Sequence, residues 1–201
     1  MELILASHSP RRRELLERMG LTKFQVLVSA EPEALDQTLP PETLAERLAE
    51  QKARSVQRQA GEGALIIAAD TVVVYNGKVL GKPTCETSAR HMLATLSGHR
   101  HQVYTGVTVL RGSQCHTEHE MTEVSFRPIR QEEIDAYIAT GEPADKAGGY
   151  GIQGYGCLFV TGILGDYYNV MGLPVCRLGQ MLKRFGVDCL TRLEDAGTKT
   201  G

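Results

Sequence analysis

The chain has 201 residues, 22 basic against 24 acidic side chains, a formal charge of −2, 42% hydrophobic residues and no tryptophan. That length fits one sizeable domain, or two small ones sharing a core, and needs no disulfide or metal staple to fold. The near-neutral charge argues against a protein that coats nucleic acid, and the one clear compositional excess is glycine, at 21 residues.

In chain order, Leu3 to Ala6 is a continuous apolar run that predicts a short buried strand. Ser9-Pro10 supplies an N-cap and a favourable first position for a helix striped with Leu15, Leu16 and Met19 and closed by Gly20. Phe24 to Val28 reads as a second strand, and an acidic, proline-rich loop through Glu31, Glu33 and Asp36 follows it. Glu42 to Gln59 is helical, with Leu44, Leu48 and Val56 on one row. Ala64 to Ala69 is the strongest buried strand, which Asp70 is expected to end. Val72–Tyr75 and Lys78–Leu80 flank Asn76-Gly77, a strong hairpin signal. A helix over Glu86–Leu96 comes next. Strands Val103–Leu110 and Met121–Phe126 are expected to pair around Gly112-Ser113. Helices over Glu132–Ala139 and within Leu173–Phe185 bracket a glycine-rich stretch at 148–156. Strands and helices alternate with inserted hairpins, so the expected fold is α/β with a mixed twisted sheet and flanking helices. A single domain over residues 1–190 and a polar tail over 191–201 are expected.

Cys85, Cys115, Cys157, Cys176 and Cys189 are odd in number and form no C-x-x-C pair, which reads as reduced thiols. The apolar start is too short for a signal peptide or a membrane span. A cytoplasmic protein with neither membrane nor nucleic-acid partner is the expectation.

Four features look out of place. Arg11, Arg12 and Arg13 crowd the first turn of a helix, where acidic residues normally answer the exposed N–H groups. Beside Ser7 they form either a solvated basic patch or a phosphate cradle. Lys52 interrupts the apolar row of its helix, so it either snorkels to water or points into a cleft. Asp70 is a carboxylate at a strand end, where open α/β sheets contact ligands, or else it satisfies a turn. The stretch Gly148 to Gly156 carries Gln153, whose carboxamide is able to read a base edge, although the glycines equally suit a sharp loop. It is neither a P-loop nor a dinucleotide fingerprint. Cations including Lys82, the carboxylates Glu33 and Asp70 and a glycine loop together suit a polyphosphate substrate with a divalent metal.

These residues resemble the Maf nucleotide pyrophosphatases from about Leu3 to about Phe185. The resemblance rests on Leu5-Ala6-Ser7-x-Ser9-Pro10-Arg11-Arg12-x-Glu14-Leu15-Leu16, Glu50-x-Lys52-Ala53 and Ala69-Asp70-Thr71-Val72. Further along it rests on Gly81-Lys82-Pro83, Gly141-Glu142-Pro143-x-Asp145-Lys146-Ala147-Gly148, Tyr150-Gly151-Ile152-Gln153-Gly154 and Asn169-Val170-x-Gly172-Leu173-Pro174. It implies two lobes around a deep nucleotide-binding cleft, often in a homodimer. It also implies cleavage of a nucleoside triphosphate to the monophosphate and pyrophosphate with a divalent cation, Mg or Mn. In that picture Asp70 is the general base, and Ser7, Arg12, Arg13, Lys52 and Lys82 bind phosphate. Glu33 and Asp70 handle the metal. Pro32 replaces an acid that the family often carries before Glu33, so either this chain has one metal ligand fewer or Glu31 substitutes, with Asp145 a further candidate. Arg12, Thr71 and Gln153 resemble the determinants of base preference in the branch acting on dTTP and UTP. The alternatives that stay open are the sister branch acting on 7-methyl-GTP and a nucleotide-binding regulator of cell division.

Overall fold

The computed structural model describes residues 2–28 and 38–191. Glu33, Glu31 and nearly all of the expected tail therefore lie outside the described residues. Seven strands form one sheet in the order β2-β1-β3-β5-β6-β7, with β4 paired to β3. They are β1 (Leu3–Leu5), β2 (Gln25–Val26), β3 (Leu65–Tyr75), β4 (Lys78–Leu80), β5 (Arg100–Arg111), β6 (Gln114–Phe126) and β7 (Val160–Leu164). The helices are α1 (Pro10–Arg18), α2 (Pro41–Ala60), α3 (Glu86–Leu96), α4 (Gln131–Ala139), α5 (Tyr167–Met171) and α6 (Val175–Lys183). Parallel pairing of β1 with β2 and β3, and antiparallel pairing elsewhere, make this the expected mixed sheet.

β3 organises the molecule. On one side it pairs with β5 from Ile66 to Val74. On the other, β1 covers Leu65–Ile67 and β4 covers Val73–Tyr75. Among the described residues no strand pairs with 68–72 along that edge, because the chain leaves β1 after Ala6 and turns into α1. The sheet edge is broken there, and Asp70 and Thr71 stand in the break.

Alternation along β3 sends these two side chains to opposite faces of the sheet. Ile66, Ala68, Val72 and Val74 pack against Ala53, Val56, Leu44 and Leu48 of α2. Ile67, Ala69 and Val73 face the larger core with Leu15, Leu16, Leu173 and Leu178. Asp70 is thus on the α2 face, and Thr71 on the face of α1, α5 and α6.

Three sequence expectations need correction. Asp70 does not end its strand, which runs unbroken for 11 residues; a carboxylate is tolerated mid-strand because a lysine of α2 meets it in the break. β6 begins at Gln114 rather than near Met121. Its first half is polar because polar partners hold it: the Thr108 and Thr117 hydroxyls lie 2.9 Å apart, and Arg177 of α6 binds Glu118 and Glu120 at 2.6 and 2.9 Å. β7 and the short α5 had no sequence signal, since neither carries an apolar alternation that tells it from a loop. The Asn76-Gly77 hairpin is as expected, with φ of 48° and 73° at the two turn residues.

Helix α2 reaches the sheet over Gly106, which faces Asp70 across the β3–β5 ladder. A Cβ at Gly106 would lie 2.2 Å from the carbonyl oxygen of Ala45. Backbone cannot yield as a side-chain tip does. Gly106→Ala is expected to lower stability by about 3 kcal/mol, the upper end of overpacking penalties, as measured by urea unfolding. A wild-type midpoint would show that α2 is free to move away.

His101 is wholly buried edge-on to Phe126 and Tyr150, with Nε2 2.8 Å from the Tyr150 hydroxyl. Burial pushes its pKa down from 6.5 to about 4. The unfolded chain therefore takes up a proton that the folded chain refuses. Stability is fully present above pH 6.5 and is lost as pH falls towards 4, by up to roughly 3 kcal/mol. Unfolding curves across that window should show the slope, and His101→Phe should flatten it.

Candidate active site

A cleft of about 340 Å³ opens at the break in the sheet edge. One wall is the turn from β1 into α1. Ser9 sits at the N-cap of α1 without a side-chain cap bond, and the first helical turn carries no acid. Instead the Ser7 hydroxyl accepts from the Ser9 amide at 3.2 Å. Ser7, Arg11 and Arg12 all line the cleft. Arg13 does not; it is exposed and shares the outer face of α1 with Glu17. Of the three arginines that the sequence offered as a phosphate cradle, the helical rotation thus brings Arg11 and Arg12 to the cleft wall and turns Arg13 away, although the family resemblance implied Arg13 and not Arg11.

Arg12 is fixed by three side-chain hydrogen bonds. Its Nε donates to the Gly172 carbonyl at 2.7 Å, Nη1 to Ser7 Oγ at 3.1 Å and Nη2 to Thr71 Oγ1 at 3.0 Å. A planar fork with fixed donors suits three acceptors from three parts of the chain. Gly172 is there because α5 stops at it in a left-handed conformation, with φ of 108°. Asn169 fastens α5 to the sheet, since its buried amide donates to the Val103 carbonyl and to Thr122 Oγ1 at 3.0 and 2.9 Å.

On the other face, Lys52 Nζ binds Asp70 Oδ1, with side chains only 14% and 12% exposed. The apolar row of α2 explains the reach: Leu44, Leu48 and Val56 are buried, and the same helix face carries Lys52 past them into the cleft. Of the two readings open for this lysine, the structure takes the cleft. Lys82, just after β4, also lines it from an exposed position.

The far wall comes from Asp145 to Ile152. Lys146 Nζ donates to the Glu142 carbonyl and to Asp145 Oδ1 at 2.7 and 2.6 Å. Burial alone would raise the Asp145 carboxyl, but the bond from Lys146 and the charges of Lys146 and Arg11 outweigh it and hold it low. The glycine loop is wrapped around Glu142. That carboxylate accepts from the Tyr137 hydroxyl at 2.8 Å and from the amides of Tyr155 and Gly156 at 2.8 and 3.2 Å. Tyr137 also takes the Gly151 amide at 3.0 Å. A Cβ on Gly154 would lie 2.2 Å from Glu142 Oε2, so the missing side chain makes room for the carboxylate. Gln153 itself is exposed and does not line the cleft, whereas its neighbours Gly151 and Ile152 do.

Sequence reasoning quoted Glu142, Lys146, Asn169 and Gly172 only as parts of motifs, and Thr105 not at all. An acid followed by closely spaced glycines was the available signal for Glu142. Nothing local marked Thr105, one threonine among several on a β-rich run.

A mixed-sheet α/β protein with serine, guanidinium and ammonium groups converging on a broken sheet edge is one shaped for a polyanionic small molecule. The family profile described as Maf-like protein matches residues 2–185, and the chain belongs to that family. It is 51% identical over 195 residues to the dTTP/UTP pyrophosphatase of Moorella thermoacetica, covering 96% of this chain and 99% of that one. It is 49% identical over 191 residues to the dTTP/UTP pyrophosphatase of Alkaliphilus metalliredigens, covering 94% and 98%. Among solved structures, a nucleoside-triphosphatase / dITP/XTP pyrophosphatase from Mycobacterium abscessus overlays 64% of this chain and 76% of its own, at 17% identity and a TM-score of 0.44.

Proposed function

We propose that this protein hydrolyses dTTP and UTP between the α and β phosphates, giving the nucleoside monophosphate and pyrophosphate. The observation that carries the reading is the placement of Asp70, held by Lys52 in the break of the sheet edge and open to a cleft walled by Ser7, Arg11, Arg12 and Lys82. The relatives named above supply the substrates.

In this reading the cations receive the triphosphate. The ammonium of Lys52, which meets the Asp70 carboxylate, turns to a phosphate oxygen when substrate enters. Asp70 then takes the proton of the water that attacks the α-phosphorus, and pyrophosphate leaves. Arg12 and Thr71, on the opposite face, select the base. Gln153 reaches the base from the loop that Glu142 holds, and Arg13 contributes charge from outside the wall.

Among the described residues no three His, Cys, Asp or Glu side chains gather as a metal cage. Magnesium commonly takes only one or two carboxylates together with substrate phosphates, and Asp70 in the cleft fits that donor set, with Glu33 as the second acid. Bound there, Mg or Mn would neutralise charge on the phosphate oxygens.

The reading extends to a homodimer. Leu164 of β7, the last strand of the sheet, and Tyr155 and Leu158 just before it are exposed. It extends also to a cytoplasmic setting: no disulfide joins any of the five cysteines, which suits a reducing compartment, and no helix among the described residues is long and apolar enough to cross a membrane.

The test is pyrophosphate release from a panel of nucleoside triphosphates with Mg²⁺ or Mn²⁺. dTTP and UTP should be cleaved faster than 7-methyl-GTP. The reverse order would move the protein to the sister branch, and tight binding without release would make it a regulator.

A further inference from the structure

Thr105 lies opposite Thr71 in the β3–β5 ladder and is wholly buried. Four groups form a chain through it. Arg12 Nη2 donates to Thr71 Oγ1 at 3.0 Å, the Thr71 and Thr105 hydroxyl oxygens are 2.9 Å apart, and Thr105 donates to the Asn169 carbonyl at 3.0 Å.

The ends of this chain fix its direction. A guanidinium has no acceptor and a carbonyl has no hydrogen to give. The single proton of Thr105 goes to Asn169, so the proton between the two threonines belongs to Thr71. The Thr71 hydroxyl has then used its proton on Thr105 and one lone pair on Arg12. A single lone pair is all it has left for whatever enters the cleft it lines.

We propose that Thr105 is a positioning residue for base selection, which holds the Thr71 hydroxyl as an acceptor so that it takes the N3–H of a uracil or thymine base. The proposal rests on the dTTP/UTP reading and deepens it. Uracil and thymine both carry a donor at N3, whereas cytosine carries an acceptor there. Two acceptors brought together leave both unpaired away from water, and a site built for a hydrogen bond rejects the analogue lacking it. Asn169 cannot drift to relax this, because its side chain is tied to Val103 and Thr122.

The experiment measures kcat/KM for UTP and CTP in the wild type, Thr105→Val and Thr105→Ser. Valine keeps the shape and frees the Thr71 proton to turn towards the cleft; serine keeps the relay. The wild type should favour UTP. Thr105→Val should lower the UTP:CTP ratio by about tenfold, the effect of one unpaired polar group, and Thr105→Ser should restore it. A loss of packing alone would reduce both substrates alike, so a ratio unchanged in Thr105→Val overturns the relay. If that variant does not fold, 3-methyl-UTP decides with the wild-type protein. Its missing N3–H should reduce kcat/KM about tenfold against UTP, while 5-methyl-UTP stays near UTP. Equal use of 3-methyl-UTP overturns the proposal. A wild type that releases no pyrophosphate from UTP or dTTP overturns the functional reading and the relay together; an active wild type with an unchanged ratio overturns the relay alone.

Discussion

Asp70→Asn is expected to reduce pyrophosphate release from dTTP by about 10²- to 10⁴-fold, the range for removing a general base, while nucleotide binding survives. The amide keeps the shape of the side chain but cannot accept the proton of the attacking water. The substitution would also leave the Lys52 ammonium without the carboxylate it meets in the break of the sheet. That change removes a negative charge from a cleft that must hold a polyanion, so affinity should stay equal or rise. Titration calorimetry beside a pyrophosphate assay separates the two effects. Full activity in the variant would remove Asp70 from the chemistry, and a loss of binding that appears only with Mg²⁺ present would assign it to holding the metal rather than to taking the proton. Lys52→Met provides the companion measurement. It should weaken binding of the triphosphate much more than binding of the monophosphate, because the ammonium is assigned to the phosphate chain.

Arg12→Lys should lower kcat/KM for UTP by about 100-fold, equivalent to roughly 3 kcal/mol, although the charge is kept. Three acceptors depend on the guanidinium fork: the Gly172 carbonyl, Ser7 Oγ and Thr71 Oγ1. An ammonium on a flexible stem cannot reach all three at once. The groups it abandons are half-buried or buried, so their lost partners add to the penalty. If the loss falls on KM with kcat held, Arg12 serves ground-state binding alone; a drop in kcat would place it in the transition state as well. Activity within a few-fold of wild type would mean that charge, rather than the fork, is what this position supplies.

Much of the fold was legible in the sequence because its signals are local. Apolar runs marked β1 and the first half of β3, the Asn76-Gly77 pair marked the β3–β4 hairpin, and the row Leu44, Leu48, Val56 marked α2. Where local pattern failed, a distant partner was responsible. The polar half of β6 is a strand because β5 and Arg177 hold it, and β3 continues through Asp70 because Lys52 meets that carboxylate. Neither partner is visible within a window of a few residues.

The site divides in the same way. Ser7, Arg12, Lys52 and Asp70 stood out by residue type and context, Thr71 and Lys82 were added by the family resemblance, and the structure gathers all six in one cleft. Arg11, Arg13 and Gln153 stood out equally, yet of these only Arg11 lines it, together with Lys146, which did not stand out. One residue of helical rotation separates Arg12 from Arg13, and runs of like residues give no phase from which to choose.

The length and charge that suggested a plain, near-neutral protein were compatible with a cleft that concentrates cations against two carboxylates, Asp70 and Asp145, because net charge carries no positions. By itself the sequence determined the inventory: most of the strands and helices, which polar residues sit against an apolar pattern, and which family the motifs resemble. The tertiary structure alone decided the partnerships. Lys52 and Asp70 are 18 residues apart, Arg12 and Thr71 are 59, and Arg12 and Gly172 are 160. The direction of the Thr71 hydroxyl depends on a carbonyl 64 residues beyond Thr105. Such contacts form only when packing fixes the separations, since a hydrogen bond tolerates a few tenths of an ångström and a sequence motif states no distance.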